Sequence, residues 1–133
     1  MDAKLLKEII KEDYIPVIVP MGLDEKGIAY NINADTAAGA VARSIKSRRL
    51  MLLTDIDGVL DNNEKLISEI NTAEAKELVN NETIHGGMIP KVKTCIDAIN
   101  NGVRAVVILD GRKPHSILFE LFSDKGAGTL IRK

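Results

Sequence analysis

VRAVVILDGRKP, residues 103–114, is a β-branched apolar run that breaks off into charge, glycine and proline. Apart from Arg104, residues 103–109 leave no alternate position for water, so they read as a strand buried on both faces. LMLLT, residues 50–54, repeats the pattern and ends in DIDG. YIPVIV, residues 14–19, reads as a third buried strand, closed by Pro20. Helical segments lie between these runs. Residues 2–12 place Leu5, Leu6, Ile9 and Ile10 on one face and Lys4, Lys7, Lys11 and Glu12 opposite. NADTAAGAVARSIKS, residues 33–47, is alanine-rich, with Asn33 or Asp35 as its N-cap. A short helix is predicted over 72–81, opened loosely by Thr72. A longer one is predicted over 88–101, stopped by Asn100-Asn101-Gly102. Residues 28–32 suggest a short strand or hairpin arm after the polar turn MGLDEKG. Residues 116–122 suggest a helix, and 129–132 a last strand. Buried strands alternating with helices predict an α/β fold with a parallel sheet covered on both faces. Ligands of such sheets bind beyond the carboxyl ends of the strands. That directs attention to MGLDEKG, TDIDG and LDGRKPH.

Composition narrows the function classes. The 133 residues fit one domain, or half of a larger one. Hydrophobic residues at 45% and charged residues at 28% argue against disorder. A net charge of −1 and an aromatic content of 3%, without tryptophan, argue against nucleic-acid binding and base stacking. Cys95 alone makes neither an internal disulfide nor a zinc site. No apolar run approaches the ~20 residues of a membrane helix. MDAKLLKEIIKED carries acids, unlike a secretory signal. These features predict a reducing, cytoplasmic setting, or the stroma of an organelle.

Three segments could carry chemistry. In YNINADTAAGA, residues 30–40, Asn31, Asn33 and Asp35 run into a helix start flanked by small residues. They serve either as plain caps or as the edge of an anion site. In MLLTDIDGVL, residues 51–60, the strand followed by D-x-D-G is either a strand-end turn or the opening of a haloacid-dehalogenase-type phosphatase. In the phosphatase, Asp55 would be the nucleophile and Asp57 the acid/base. In IHGGMIPKVKTCIDAI, residues 84–99, Lys91 falls in the first helical turn, where the macrodipole opposes a cation. It is either a solvated surface lysine or the counter-charge of a bound phosphate. His85 and His115 have no partner at metal-ligand spacing, so no metal site is predicted. Cys95 shares an apolar helix face with Val92, Ile96 and Ile99 and reads as core.

Taken in order, YIPVIVP, YNINADTAAGAVA, LLTDIDGVL, IHGGMIPKVKTCIDAINNGV and ILDGRKPHSILFELFSDKGAGTLI resemble the amino acid kinase family, in its acetylglutamate kinase branch. The resemblance covers essentially the whole chain. It implies a single domain over 1–133, a three-layer αβα sandwich with a mainly parallel sheet. It implies ATP-dependent phosphorylation of the side-chain carboxylate of N-acetyl-L-glutamate, in arginine biosynthesis, with ATP and Mg²⁺. Carried over by position, Asp35 and Lys91 are the catalytic pair: Asp35 organises the lysines and Lys91 faces the transferred phosphoryl group. Asn31 binds the acetylglutamate. Thr54, Asp55, Gly58, Leu60, Thr83, Ile84 and His85 border the nucleotide. Glu120 and Gly126 fall where arginine-inhibited members hold L-arginine, although Val107 stands where such members often have histidine. Members of the family form homo-oligomers, and some bind the PII signalling protein.

The phosphatase reading recedes, because its downstream lysine and acidic metal pair have no counterpart here. Family members begin with a strand bearing a phosphate-binding lysine, a glycine-rich loop and an arginine, and none of these precedes Met1. Residues 1–10 match a mid-chain helix of the family. The expectation is therefore a C-terminal, nucleotide-binding portion, truncated at its N-terminus and inactive alone. The alternative is a non-catalytic nucleotide-binding or regulatory module completed by a separate N-terminal half.

Overall fold

The computed structural model describes residues 3–133. The elements in chain order are α1 (Lys4–Lys11), β1 (Met21–Leu23), β2 (Ala29–Asn31), α2 (Ala34–Ile45), β3 (Arg49–Thr54), β4 (Glu69–Asn71), α3 (Thr72–Asn80), α4 (Met88–Asn100), β5 (Ala105–Asp110), α5 (Ser116–Phe122) and β6 (Gly128–Arg132). Residue 2, the first of the expected N-terminal helix, lies outside the described residues.

The two decisive runs become neighbouring parallel strands, β3 and β5, in register from Arg49 opposite Ala105 to Thr54 opposite Asp110. Their sheet has the order β3-β5-β6-β4. It is an α/β sheet of mixed direction. β3 with β5 and β4 with β6 are parallel, whereas β5 and β6 are antiparallel. The sheet is mainly parallel, as expected, and the antiparallel β5–β6 pair has a geometric reason. After α5, only two turns long, the chain re-enters the sheet at the end it had just left, with Gly128 opposite Leu109.

Side chains alternate across this sheet. Leu52, Val106, Ile108 and Ile131 face a helix layer and join Ala42 of α2, Ala75 of α3 and Val92, Cys95, Ile96 and Ile99 of α4 in one core. Burying each large aliphatic side chain there contributes about 1.5–3 kcal/mol. Val107 and Leu109 point the other way and are also buried. On that second face α5 is tied down where Glu120 meets Arg49.

The helix starts follow side-chain chemistry. Asn33 caps α2, its Oδ1 accepting from the Thr36 N–H at 3.1 Å. α3 opens with a capping box one residue earlier than expected. Asn71 Oδ1 accepts from the Ala73 and Glu74 N–H groups, and Glu74 Oε2 accepts from the Asn71 N–H. Thr72 is only the first helical residue. A glutamate three residues after asparagine satisfies two orphan donors, which threonine at 72 does not. Pro90 sits in the first turn of α4, where its missing N–H costs nothing.

Two expectations are corrected. Residues 14–19 form no strand, and Ile15 and Val17 are 89% and 92% exposed. Pro16 and Pro20 remove two donors, and no described strand lies alongside to complete a ladder. The apolar stripe of α1 has no buried residue either, and Leu5 is 66% exposed. The MGLDEKG turn begins as strand β1, which pairs antiparallel with β2. Asp24 closes this hairpin by accepting from the Lys26 and Ile28 N–H groups at 2.9 Å. The hairpin then delivers the chain to the start of α2.

Candidate active site

β3 and β5 end at one edge, where the Gly111 N–H donates to Thr54 O at 2.8 Å. The loop after β3 folds back over β6 and is pinned there. The Val59 N–H donates to Thr129 Oγ1 at 2.8 Å, and that hydroxyl donates to Ile67 O at 2.6 Å. Gly58 makes the turn possible. Its φ is +148°, and a Cβ at this position would stand 2.6 Å from Thr129 Oγ1. The loop thereby becomes one wall of a cavity of about 600 Å³, whose other wall is residues 83–88 and the start of α4.

Thr54, Asp55, Gly58, Leu60, Thr83, Ile84 and His85, the positions expected to border a nucleotide, all line this cavity, and so does Lys91. Ile56, Val59, Gly86, Gly87 and Met88 line it as well. Ile56 and Val59 lie within the expected 54–60 loop; Gly86, Gly87 and Met88 went unpredicted because glycines and an apolar residue carry no chemical signature, and only adjacency to His85 could have flagged them. The lining mixes aliphatic surface with a few hydroxyl, carboxylate and imidazole groups, the usual make-up of a small-molecule site.

At the mouth of α4, Lys91 Nζ lies 2.7 Å from Asp35 Oδ2. The side chains are 15% and 28% exposed, so the pair is largely shielded from water. Asp35 stands in the first turn of α2, where a carboxylate is favoured by the helix dipole, whereas Lys91 opposes the dipole of α4. Asp35 thus supplies the counter-charge that the lysine's position requires. Cys95, one turn further along α4, is fully buried, and burial pushes its thiol up to about 12, with the Asp35 carboxylate adding to the rise.

The acids beyond the strand ends have separate partners. Asp57 is absent from the cavity lining and pairs with Lys113 Nζ at 2.6 Å. Asp110 binds Arg112 through both oxygens, 2.9 Å from Nε and 2.9 Å from Nη2. The Arg112 side chain and its backbone N–H together hold the Asp110 carboxyl down at about 2. Among the described residues, no group of three His, Cys, Asp or Glu is placed to hold a metal ion.

A model of the amino acid kinase family matches residues 1–110. The chain belongs to that family. It is 58% identical to the acetylglutamate kinase of Pelagibacter ubique (strain HTCC1062) over 133 residues, all of this chain and 46% of that protein. The chain spans about half the length of the curated relatives it matches. In three dimensions it resembles N-acetylglutamate synthase from Neisseria gonorrhoeae, solved with coenzyme A and L-arginine. That match has a TM-score of 0.93 at 28% identity, over all of this chain and 31% of the synthase. Carbamate kinase from Giardia lamblia shares the fold at a TM-score of 0.71 and 22% identity, covering 97% of this chain and 43% of that one.

Within the amino acid kinase fold, the remaining expected positions fall outside the cavity. Asn31 ends β2, exposed, two residues before the cap of α2. Glu120 and Gly126 come together around a separate hollow of about 250 Å³ that Arg49 also lines. There Glu120 Oε2 accepts from the Ala127 N–H at 2.8 Å, and Oε1 lies 3.3 Å from Arg49 Nη1. Val107 is buried on that face of the sheet.

Proposed function

We propose that the chain supplies the C-terminal, nucleotide-side part of an acetylglutamate kinase, which moves the terminal phosphoryl group of ATP onto the side-chain carboxylate of N-acetyl-L-glutamate. The observation that carries this reading is that Lys91, which lines the cavity built by the loop after β3 and by residues 83–88, is paired with Asp35. Phosphoryl transfer asks mainly for positioning and charge neutralisation. In this reading the aliphatic lining and the polar edge of Thr54, Asp55, Thr83 and His85 hold base and ribose. Gly86 and Gly87 have open space where a Cβ would stand, so phosphate oxygens can approach the backbone closely at the start of α4. Lys91 meets the transferred group as a point charge, and Asp35 holds its ammonium in place between turnovers. Mg²⁺ would neutralise phosphate charge when bound. Asn31 then marks the acetylglutamate side.

Lys91 is the one lysine or arginine among the described lining residues, so the chain alone is expected to bind nucleotide but transfer phosphate poorly. L-arginine is the proposed effector at Glu120 and Gly126. No described helix is long and apolar enough to cross a membrane, and a cytoplasmic setting suits the proposed substrates.

Calorimetry of the 133-residue chain with Mg²⁺-ADP tests the reading. Saturable heat is expected, weakened by Lys91→Ala. No heat from the unaltered chain rejects it. An ADP-release assay with ATP and acetylglutamate, compared with the same assay lacking acetylglutamate, reports the substrate.

A further inference from the structure

Below the Lys91–Asp35 pair, α2 and α4 touch again at two regular intervals. Gly39 lies one turn after Asp35, and Thr94 one turn after Lys91. A Cβ on Gly39 would stand 3.0 Å from Thr94 Cγ2 and 3.9 Å from Arg43 Nη1. One turn further, the Arg43 guanidinium binds the Asp97 carboxylate. Asn101 Nδ2 donates to the other Asp97 oxygen at 3.0 Å, so this acid is held from two sides. The contacts climb α2 in steps of four and α4 in steps of three, in the same direction along both helices. This is the ridge-into-groove pairing of near-parallel helices.

Gly39 is helical and has no positive φ to justify it. Glycine inside a helix costs about 1 kcal/mol relative to alanine. The close approach to Thr94 is what the missing side chain permits. Thr94 is itself oriented, its Oγ1 donating to Pro90 O at 3.0 Å in the turn that carries Lys91.

We propose that Gly39, Arg43 and Asp97 are positioning residues for the Lys91–Asp35 pair. Gly39 sets how closely α2 approaches α4, and Arg43 with Asp97 sets the axial register. Together they hold the Lys91 ammonium within hydrogen-bond reach of Asp35 rather than leaving it to swing toward solvent. The catalytic meaning of this ladder rests on the proposed function; its effect on Lys91 does not.

The test uses the 133-residue chain and the ¹⁵N-edited signal of the Lys91 ammonium at slightly acidic pH, where ion pairing slows proton exchange. Gly39→Ala should speed that exchange roughly tenfold while leaving the backbone amide spectrum of β5 unchanged. Thr94→Ser removes the methyl that the new Cβ meets and keeps the hydroxyl on Pro90. The Gly39→Ala/Thr94→Ser double variant should therefore restore the slow exchange. Asp97→Asn should act in the same direction as Gly39→Ala, more weakly. Unchanged Lys91 exchange in Gly39→Ala, or failure of Thr94→Ser to rescue it, overturns the proposal. Mg²⁺-ADP heat measured on the same samples separates the two readings. A chain that binds no nucleotide but shows the rescue keeps the ladder and loses the kinase assignment.

Discussion

Arg49 Nη1 lies 3.3 Å from Glu120 Oε1, joining the first residue of β3 to the buried side of α5. With the Ala127 N–H on its other oxygen, Glu120 has both oxygens engaged by the chain's own donors. The Glu120 side chain is 7% exposed. Its removal would leave a backbone donor and a guanidinium without their acceptor.

Glu120→Ala is therefore expected to cost about 1–3 kcal/mol, the usual penalty for orphaning a buried donor. Urea unfolding of the two proteins measures it. Free L-arginine binding at this hollow would have to compete with Arg49, so Arg49→Ala should enlarge the thermal shift that arginine produces. An equal or smaller shift would remove Glu120 from the effector site.

Gly58→Ala should destabilise by roughly 1–3 kcal/mol, because alanine is strained at this backbone conformation and its Cβ is driven onto Thr129. The same change should weaken ADP binding by displacing the loop that walls the cavity. Thr129→Val, which removes the hydroxyl linking Val59 to Ile67, should act in the same direction. A Gly58→Ala protein with unaltered stability would contradict the loop geometry.

The Cys95 thiol, fully buried and pushed up to about 12, should be inert to disulfide reagents in the native chain near pH 8. It should react at once in denaturant. Prompt native-state labelling would mean that α4 opens far more readily than its packing implies.

Asp110 imposes a defined pH dependence. Its carboxyl is held near 2 in the fold, against an ordinary value of 3.8. The unfolded chain therefore takes up the proton first as pH falls. The stabilisation is complete above about pH 4 and fades as pH drops toward about 2. Urea midpoints of the unaltered chain and of Asp110→Asn should differ most at neutral pH and converge across that window. A constant gap down to pH 2 would show that Arg112 does not hold the carboxylate as described.

Much of this molecule was legible one segment at a time. LMLLT and VRAVVIL announced two strands that do pair; the second is buried along nearly all of β5, whereas β3 lies at the sheet edge, with Leu52 buried and Leu53 47% exposed. DIDG, at the end of an apolar run, and HGG, just before a helix, marked both walls of the cavity. Other features were not legible because their cause lies elsewhere in the chain. YIPVIV has the composition of a strand but finds no ladder among the described residues. β4, Glu69–Asn71, is too short and too polar to stand out, and is a strand only because β6 lies beside it. The direction of β6 depends on how far α5 carries the chain, which no local pattern records.

Taken alone, then, the sequence determined the local states: which runs are apolar enough to be interior, which asparagines and glycines begin or end helices, and which charges sit awkwardly on them. Lys91 was visibly out of place at a helix start; the family resemblance named Asp35 as the residue that organises it, but no local pattern did. Asp35 is 56 residues away, and only the packing of α2 on α4 brings it within 2.7 Å. Tertiary structure decided that pairing, along with the engagement of Glu120 by Arg49 and the separation of Asp57 from the cavity. The physical reason is the same in each case. A backbone preference is set by a residue and its neighbours, whereas a charge takes its environment from whatever the folded chain places beside it.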